Sequence, residues 1–166
     1  MHHVIFMWPP VGIIGEVMSE RRETDVEPTP WHLWVIGVVA LVWSAMGALD
    51  YVMTQTRNEA YMSGFTPDLL SFFYGIPAWA VATWAVAVWG GVLGALLLLI
   101  KRRHAVWVFF ASLIAMVITA FQNYVLSNGM EVMGDAFSLG FTAAIFLFAL
   151  AFFLYARAMH KRKILV

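Results

Sequence analysis

Four long apolar runs divide the chain, covering residues 33–53, 76–100, 105–126 and 137–155, with short polar segments between them. A bilayer core of about 30 Å is crossed by about 20 apolar residues rising 1.5 Å each in a helix. Each run is long enough. None shows the ten-residue alternation of a lipid-facing strand, and an isolated strand leaves backbone groups unpaired in lipid. The pattern predicts an all-α integral membrane protein, a bundle of four transmembrane helices. Pro77 is placed to open the second helix, where its missing N–H is no loss.

Charge orients the bundle. Arg21 and Arg22 precede the first span, Lys101, Arg102 and Arg103 join the second to the third, and Arg157, Lys161, Arg162 and Lys163 follow the fourth. Nine of the ten basic residues therefore lie on one side. The other side carries Asp50, Glu59, Asp68, Glu131 and Asp135, with Arg57 as its only base. Basic loops stay in the cytoplasm, so both termini and the 101–103 turn are expected there. Residues 157–166 then form a basic cytoplasmic tail.

The first thirty residues differ in character. Residues 4–14 are apolar but short, are broken by Pro9 and Pro10, and lack a basic region before them, which is unlike a signal peptide. Residues 20–30 are polar and read as a cytoplasmic tail. The run Met18, Ser19, Glu20, Arg21, Arg22 looks like a protein start, so residues 1–17 are expected to be an upstream extension. The alternative is a short amphipathic segment at the membrane surface.

Composition narrows the function classes. The chain of 166 residues is 62% hydrophobic and 12% charged, unlike a disordered chain, a nucleic-acid binder or an ordinary soluble enzyme. It has no cysteine, which excludes thiolate catalysis, disulfides and Cys-ligated metal. The middle of every span is free of Asp, Glu, Lys, Arg and His, and proton-coupled pumps need such groups. His32, His104 and His160 fall at three helix ends on the basic side, which suits exposed interfacial imidazoles better than paired haem ligands. No catalytic residue, cofactor or metal site is expected.

Small residues stripe the first two spans: Gly37, Ala40, Ser44 and Gly47 in one, Ala87, Gly90, Gly91, Gly94 and Ala95 in the other. They let backbones approach closely, either inside one bundle or between copies in a homo-oligomer. Ser112, Thr119 and Asn123 share a face of the third span, with Gln122 beside them. The fourth span is rich in phenylalanine and is expected to face lipid or a partner helix. Trp31, Trp34, Trp79 and Trp107 form an interfacial belt. Trp43, Trp84 and Trp89 lie deeper and are expected to pack on the glycine stripes.

The densest polar group lies on the acidic side. Asp50, Tyr51, Gln55, Arg57, Asn58 and Glu59 follow the first span, and Gln122, Asn123 and Asn128 close the third. Continued as a helix, the first span brings Asp50 and Arg57 to nearly the same face, with Glu59 as another partner for Arg57. Neutral amides and hydroxyls beside aromatic rings suit an uncharged polar ligand such as a sugar. The same residues equally serve to cap helices and fix loops, or to dock another protein.

The segments GALDYVMTQTRNEAYM (47–62), PAWAVATWAVAVWGG (77–91) and LSNGMEVMG (126–134) resemble a family of small bacterial four-span inner-membrane proteins commonly labelled "sugar transporter". The resemblance covers about residues 31–163. It implies a multi-pass protein of the bacterial inner membrane and a small polar solute such as a sugar. Four helices fill their own interior, and the two helix pairs show no repeat that would rock about a midplane site. Transport therefore implies a homo-oligomer with its path at an interface. A non-catalytic accessory or assembly subunit of a larger membrane complex is the alternative reading.

Overall fold

The computed structural model describes residues 29–166. The expectations for residues 1–17 and for most of the amino-terminal tail fall outside the described residues. Seven α-helices follow in order among the described residues: α1 (Trp31–Gln55), α2 (Glu59–Met62), α3 (Pro67–Tyr74), α4 (Ala78–Leu99), α5 (His104–Phe121), α6 (Gly129–Met133) and α7 (Ala136–Lys161). The last turn of α5 widens into a π-helical segment, Gln122–Leu126. The helices α1, α4, α5 with its π turn, and α7 are long and apolar enough to cross a membrane. The described fold is all-α.

These four correspond to the four apolar runs, with ends shifted by a few residues. Pro77 is the N-cap of α4 (φ −64°, ψ 147°) and so stands just before the first turn rather than inside it. Lys161 ends α7 six residues beyond the apolar run, because Arg157 and Lys161 continue the helix with their charges at its favourable C-terminal end.

Packing runs from α1 to α4, from α4 to α5 and from α5 to α7. Small residues set the first two contacts. A Cβ on Gly91 would lie 2.9 Å from Ser44 Oγ of α1, and one on Gly37 would lie 2.5 Å from Leu99 Cδ2 of α4. On the other side of α4, a Cβ on Gly90 would meet Ser112 Cβ at 3.0 Å, and one on Gly94 would meet the Phe109 ring at 2.7 Å. The Gly90 and Gly94 pair therefore serves α5 within the same chain and is not free for another copy. Of the deep tryptophans, two pack on other aromatic rings, Trp43 with its ring centroid 4.3 Å from that of Phe148 and Trp84 5.1 Å from that of Tyr51, while Trp89 is half exposed.

Hydrogen bonds join α4 and α5 as well. Ser112 Oγ donates to the Ala87 carbonyl at 2.5 Å, and Thr119 Oγ1 to Thr83 Oγ1 at 3.1 Å. Such bonds between apolar helices contribute about 0.6 kcal/mol on average and at most about 2. Ser112→Ala should lower stability in detergent by about that average. Ser112→Val should cost more, because its extra methyls press on the Gly90 backbone. Thermal midpoints of the two variants decide this, and a less harmful valine would refute the close approach.

The main core gathers at the basic end. It joins Leu33 and Ala40 of α1, Ala95 and Leu98 of α4, Ala105 and Phe109 of α5, and Phe152, Ala156 and Met159 of α7. Ile164 and Leu165 complete it. The residues read as a basic tail are thus helix as far as Lys161, and then chain folded back under the bundle. Val166 N–H donates to the Lys101 carbonyl and Arg103 N–H donates to the Val166 carbonyl, both at 2.9 Å. Helix α7 buries only those three residues, all in its second half.

Three helices close with the same pair of backbone bonds. After α1, Asn58 N–H reaches the Met53 carbonyl and Arg57 N–H the Thr54 carbonyl. Arg102 and Lys101 repeat the pair after α4, and Ile164 and Lys163 after α7. The motif needs a left-handed residue, usually glycine. Here Arg57 (φ 51°), Lys101 (φ 58°) and Lys163 (φ 57°) take it. A cation beside the exposed carbonyls of a helix C-terminus offsets part of the backbone cost.

Candidate functional site

The acidic end is a cap built from the α1–α4 connection and the α5–α7 connection. Helix α1 stops at Gln55, and the left-handed turn at Arg57 sends the chain sideways. Asp50 and Arg57 therefore do not share a face. Asp50 Oδ1 instead accepts from Tyr61 Oη at 2.6 Å, and the Arg57 guanidinium lies 4.4 Å over the Tyr74 ring. A cation over an aromatic face at this range is attractive by about 0.5–1 kcal/mol when exposed. Asn58 caps α2, its Oδ1 accepting from Tyr61 N–H at 3.0 Å. Gln55 and Glu59 are exposed.

An aromatic chain stiffens this half of the cap. Tyr61 meets Phe65, Phe65 meets Phe73, and Phe73 stacks on Trp84 at 6.3 Å. Trp84 in turn takes the edge of Tyr51. The short helix α3 supplies Phe72 and Phe73, and Thr66 caps it by accepting from Leu69 N–H at 3.4 Å. Thr66 followed by Pro67 is the legible signal for that helix, since proline at the first turn fits a missing N–H.

The second half gathers the other sequence-predicted residues. Gln122 is buried and its Nε2 donates to Ser127 Oγ at 2.9 Å. Asn123 Oδ1 is buried without a hydrogen-bond partner among the described residues. Asn128 is exposed and lines a pocket of about 150 Å³ with Ser71, Phe72, Gly75, Ile76 and Ser127. Ligand pockets for small organic molecules usually occupy about 300–1,000 Å³. The two halves meet where Phe72 of α3 approaches Gly129 of α6. Asp50, Tyr51, Arg57 and Asn58 form one group, Gln122, Asn123 and Asn128 another.

Protonation follows from these contacts. Burial, then the hydrogen bond and charge of Asp50, push the Tyr61 phenol up to about 12. The fold holds the protonated form, so its contribution is complete below the phenol's ordinary 10.0 and is lost as pH climbs towards about 12. Asp50→Asn should move the Tyr61 midpoint back towards its ordinary value. Alkaline ultraviolet titration, corrected with Tyr61→Phe, measures it; an unmoved midpoint would exclude the Asp50 contact. At the start of α7, Asp135 accepts from the Ser138 hydroxyl and from two backbone N–H groups, which hold its carboxyl below the usual range.

At the opposite end, His32 Nδ1 lies 2.5 Å from Tyr155 Oη. His104 and His160 share a pocket of about 310 Å³ with Arg103 and Trp107. The sequence placed these residues on one side but did not bring them together. Their juxtaposition depends on α5 starting where α7 ends. No group of three His, Cys, Asp or Glu arranged for a metal occurs among the described residues.

The fold and cap define an all-α protein in which four helices are long and apolar enough to cross a membrane and one end is polar and cross-braced. Compared with protein-family models, curated proteins and solved structures, the chain matches none.

Proposed function

We propose that the chain is a non-catalytic membrane subunit that associates through the first half of α7, with its basic end in the cytoplasm. The observation that carries this reading is Gly140. A Cβ there would meet nothing within 4 Å among the described residues, whereas the glycines of α1 and α4 face neighbouring helices. Glycine weakens a helix by about 1 kcal/mol relative to alanine, so an unpartnered one suggests a backbone approach made elsewhere. Ala136, Gly140 and Ala144 stand at four-residue spacing, beside Phe137, which is 81% exposed. The polar cap, meanwhile, spends most of its hydrogen bonds on itself.

Native mass spectrometry after gentle extraction tests this. The wild type should emerge as a complex of fixed stoichiometry and Gly140→Leu as a lone, folded chain. A lone wild-type chain would overturn the reading. Gly140→Ala should stabilise the isolated chain by up to about 1 kcal/mol, because the added methyl has open space.

A second reading, transport of a small polar solute such as a sugar by a homo-oligomer, is favoured by Asn123 Oδ1, buried at the acidic end without a hydrogen-bond partner among the described residues. It requires that the complex be homomeric and that Asn123→Ala abolish uptake into vesicles at unchanged protein level. A heteromeric complex favours the accessory-subunit reading instead.

A further inference from the structure

The pocket between the start of α5 and the end of α7 has a basic and aromatic lining. Arg103, His104, Trp107 and His160, all exposed, line an open cleft of about 310 Å³, a volume within the range of ligand sites. Arg103 is a fixed cation with a planar fork of donors that matches phosphate oxygens, and each imidazole adds an N–H. Among residues 29–166 every Asp and Glu lies at the other end: Asp50, Glu59, Asp68, Glu131 and Asp135. Among the described residues no Asp or Glu side chain neutralises this lining, and the nearest acidic oxygens are those of Val166, one of which is held by the Arg103 backbone N–H at 2.9 Å.

We propose that this pocket binds the phosphate headgroup of an anionic membrane lipid. The inference rests on the membrane reading above. His104 begins α5 and His160 lies in the last turn of α7, so the pocket sits where two spans leave the apolar layer. Trp107, 71% exposed, stands one turn into α5, where an indole bridges headgroups and acyl chains. Basic pockets between helices at this depth recognise lipid phosphates. The backbone from which the Arg103 side chain extends is fixed, since its N–H is held by a Val166 oxygen at 2.9 Å. Two histidines without a third ligand among the described residues suit an anion better than a metal ion.

The test uses the full chain in nanodiscs of phosphatidylcholine containing a minor share of phosphatidylglycerol, with retained lipid counted by native mass spectrometry. The wild type should retain phosphatidylglycerol in preference to phosphatidylcholine. Arg103→Gln should lower that retention about tenfold, and Lys161→Gln, which removes an equal charge outside the pocket, less than about twofold. Equal losses in the two variants would show diffuse attraction and overturn the site. Displacement by millimolar inorganic phosphate would overturn the lipid as its source. Selective retention that appears only after Glu20, Glu23, Asp25 and Glu27 are changed to Gln would show the chain's own acidic segment as the occupant, and would overturn it too. Vesicle flotation is read in parallel. A chain that fails to float with vesicles refutes the membrane reading, whereas one that floats without selective retention refutes this inference alone.

Discussion

Gly129→Ala is expected to dislodge α6 from the end of α5 and to destabilise the protein by about 2–4 kcal/mol, at the upper end of overpacking effects. A Cβ at this position would lie 2.2 Å from the Asn123 carbonyl oxygen and 2.9 Å from its carbon. Both atoms are backbone, so no side chain can rotate away. The residue has no left-handed φ, and the requirement is therefore for space and not for glycine's conformational freedom. Relief requires α6 to move off the π turn, which opens the contact between Phe72 and Gly129 and frees Ser127 from Gln122. Hydrogen exchange should show lost protection across residues 122–134, with a lower thermal midpoint. Gly140→Ala is the matched control, since the same added methyl meets open space there. Equal midpoints in the two variants would rule out the close approach.

That contrast marks how far the chain could be read from its residues. Apolar length alone predicted the four long helices, because about 20 apolar residues in a row have few other stable arrangements. The small-residue stripes showed that helices approach closely, but not which ones. Gly90 and Gly91 are adjacent, yet one faces Ser112 of α5 and the other Ser44 of α1. Only the rotation of α4 about its axis decides that, and a stripe with small residues on several faces does not encode it.

The polar cap was legible as a group and illegible as a set of contacts. Asp50 and Arg57 are seven residues apart, a helical spacing, and the pairing expected from it fails because the helix ends first. What ends it is a left-handed arginine, a conformation with little sequence signal outside glycine and asparagine. Once the chain turns at Arg57, Asp50 is left to Tyr61 and the guanidinium to Tyr74. The basic pocket was hidden for a different reason. Arg103 and His160 are distant in the chain, and no periodicity relates the start of one helix to the end of another.

Leu165→Ala is expected to cost about 2–4 kcal/mol, in the range of buried leucine truncations. The charged run before it reads as a solvated tail, yet Leu165 is 2% exposed and belongs to the core shared by all four long helices. The left-handed turn at Lys163 reverses the chain so that Ile164 and Leu165 enter beneath Leu33 and Leu98. Truncation leaves a cavity where α1, α4, α5 and α7 converge, and that junction is close to the 101–103 turn. The two bonds between Val166 and the turn should then break in concert, visible as faster hydrogen exchange at Arg103. Val166→Ala provides the comparison: its side chain is exposed, so it should change stability by less than about 0.5 kcal/mol while leaving the backbone bonds in place. A Leu165 variant as stable as wild type would mean that the segment is not seated in the core. If it is seated, the same substitution should also weaken lipid retention without touching any lining side chain, because the backbone that positions Arg103 is fixed from this segment.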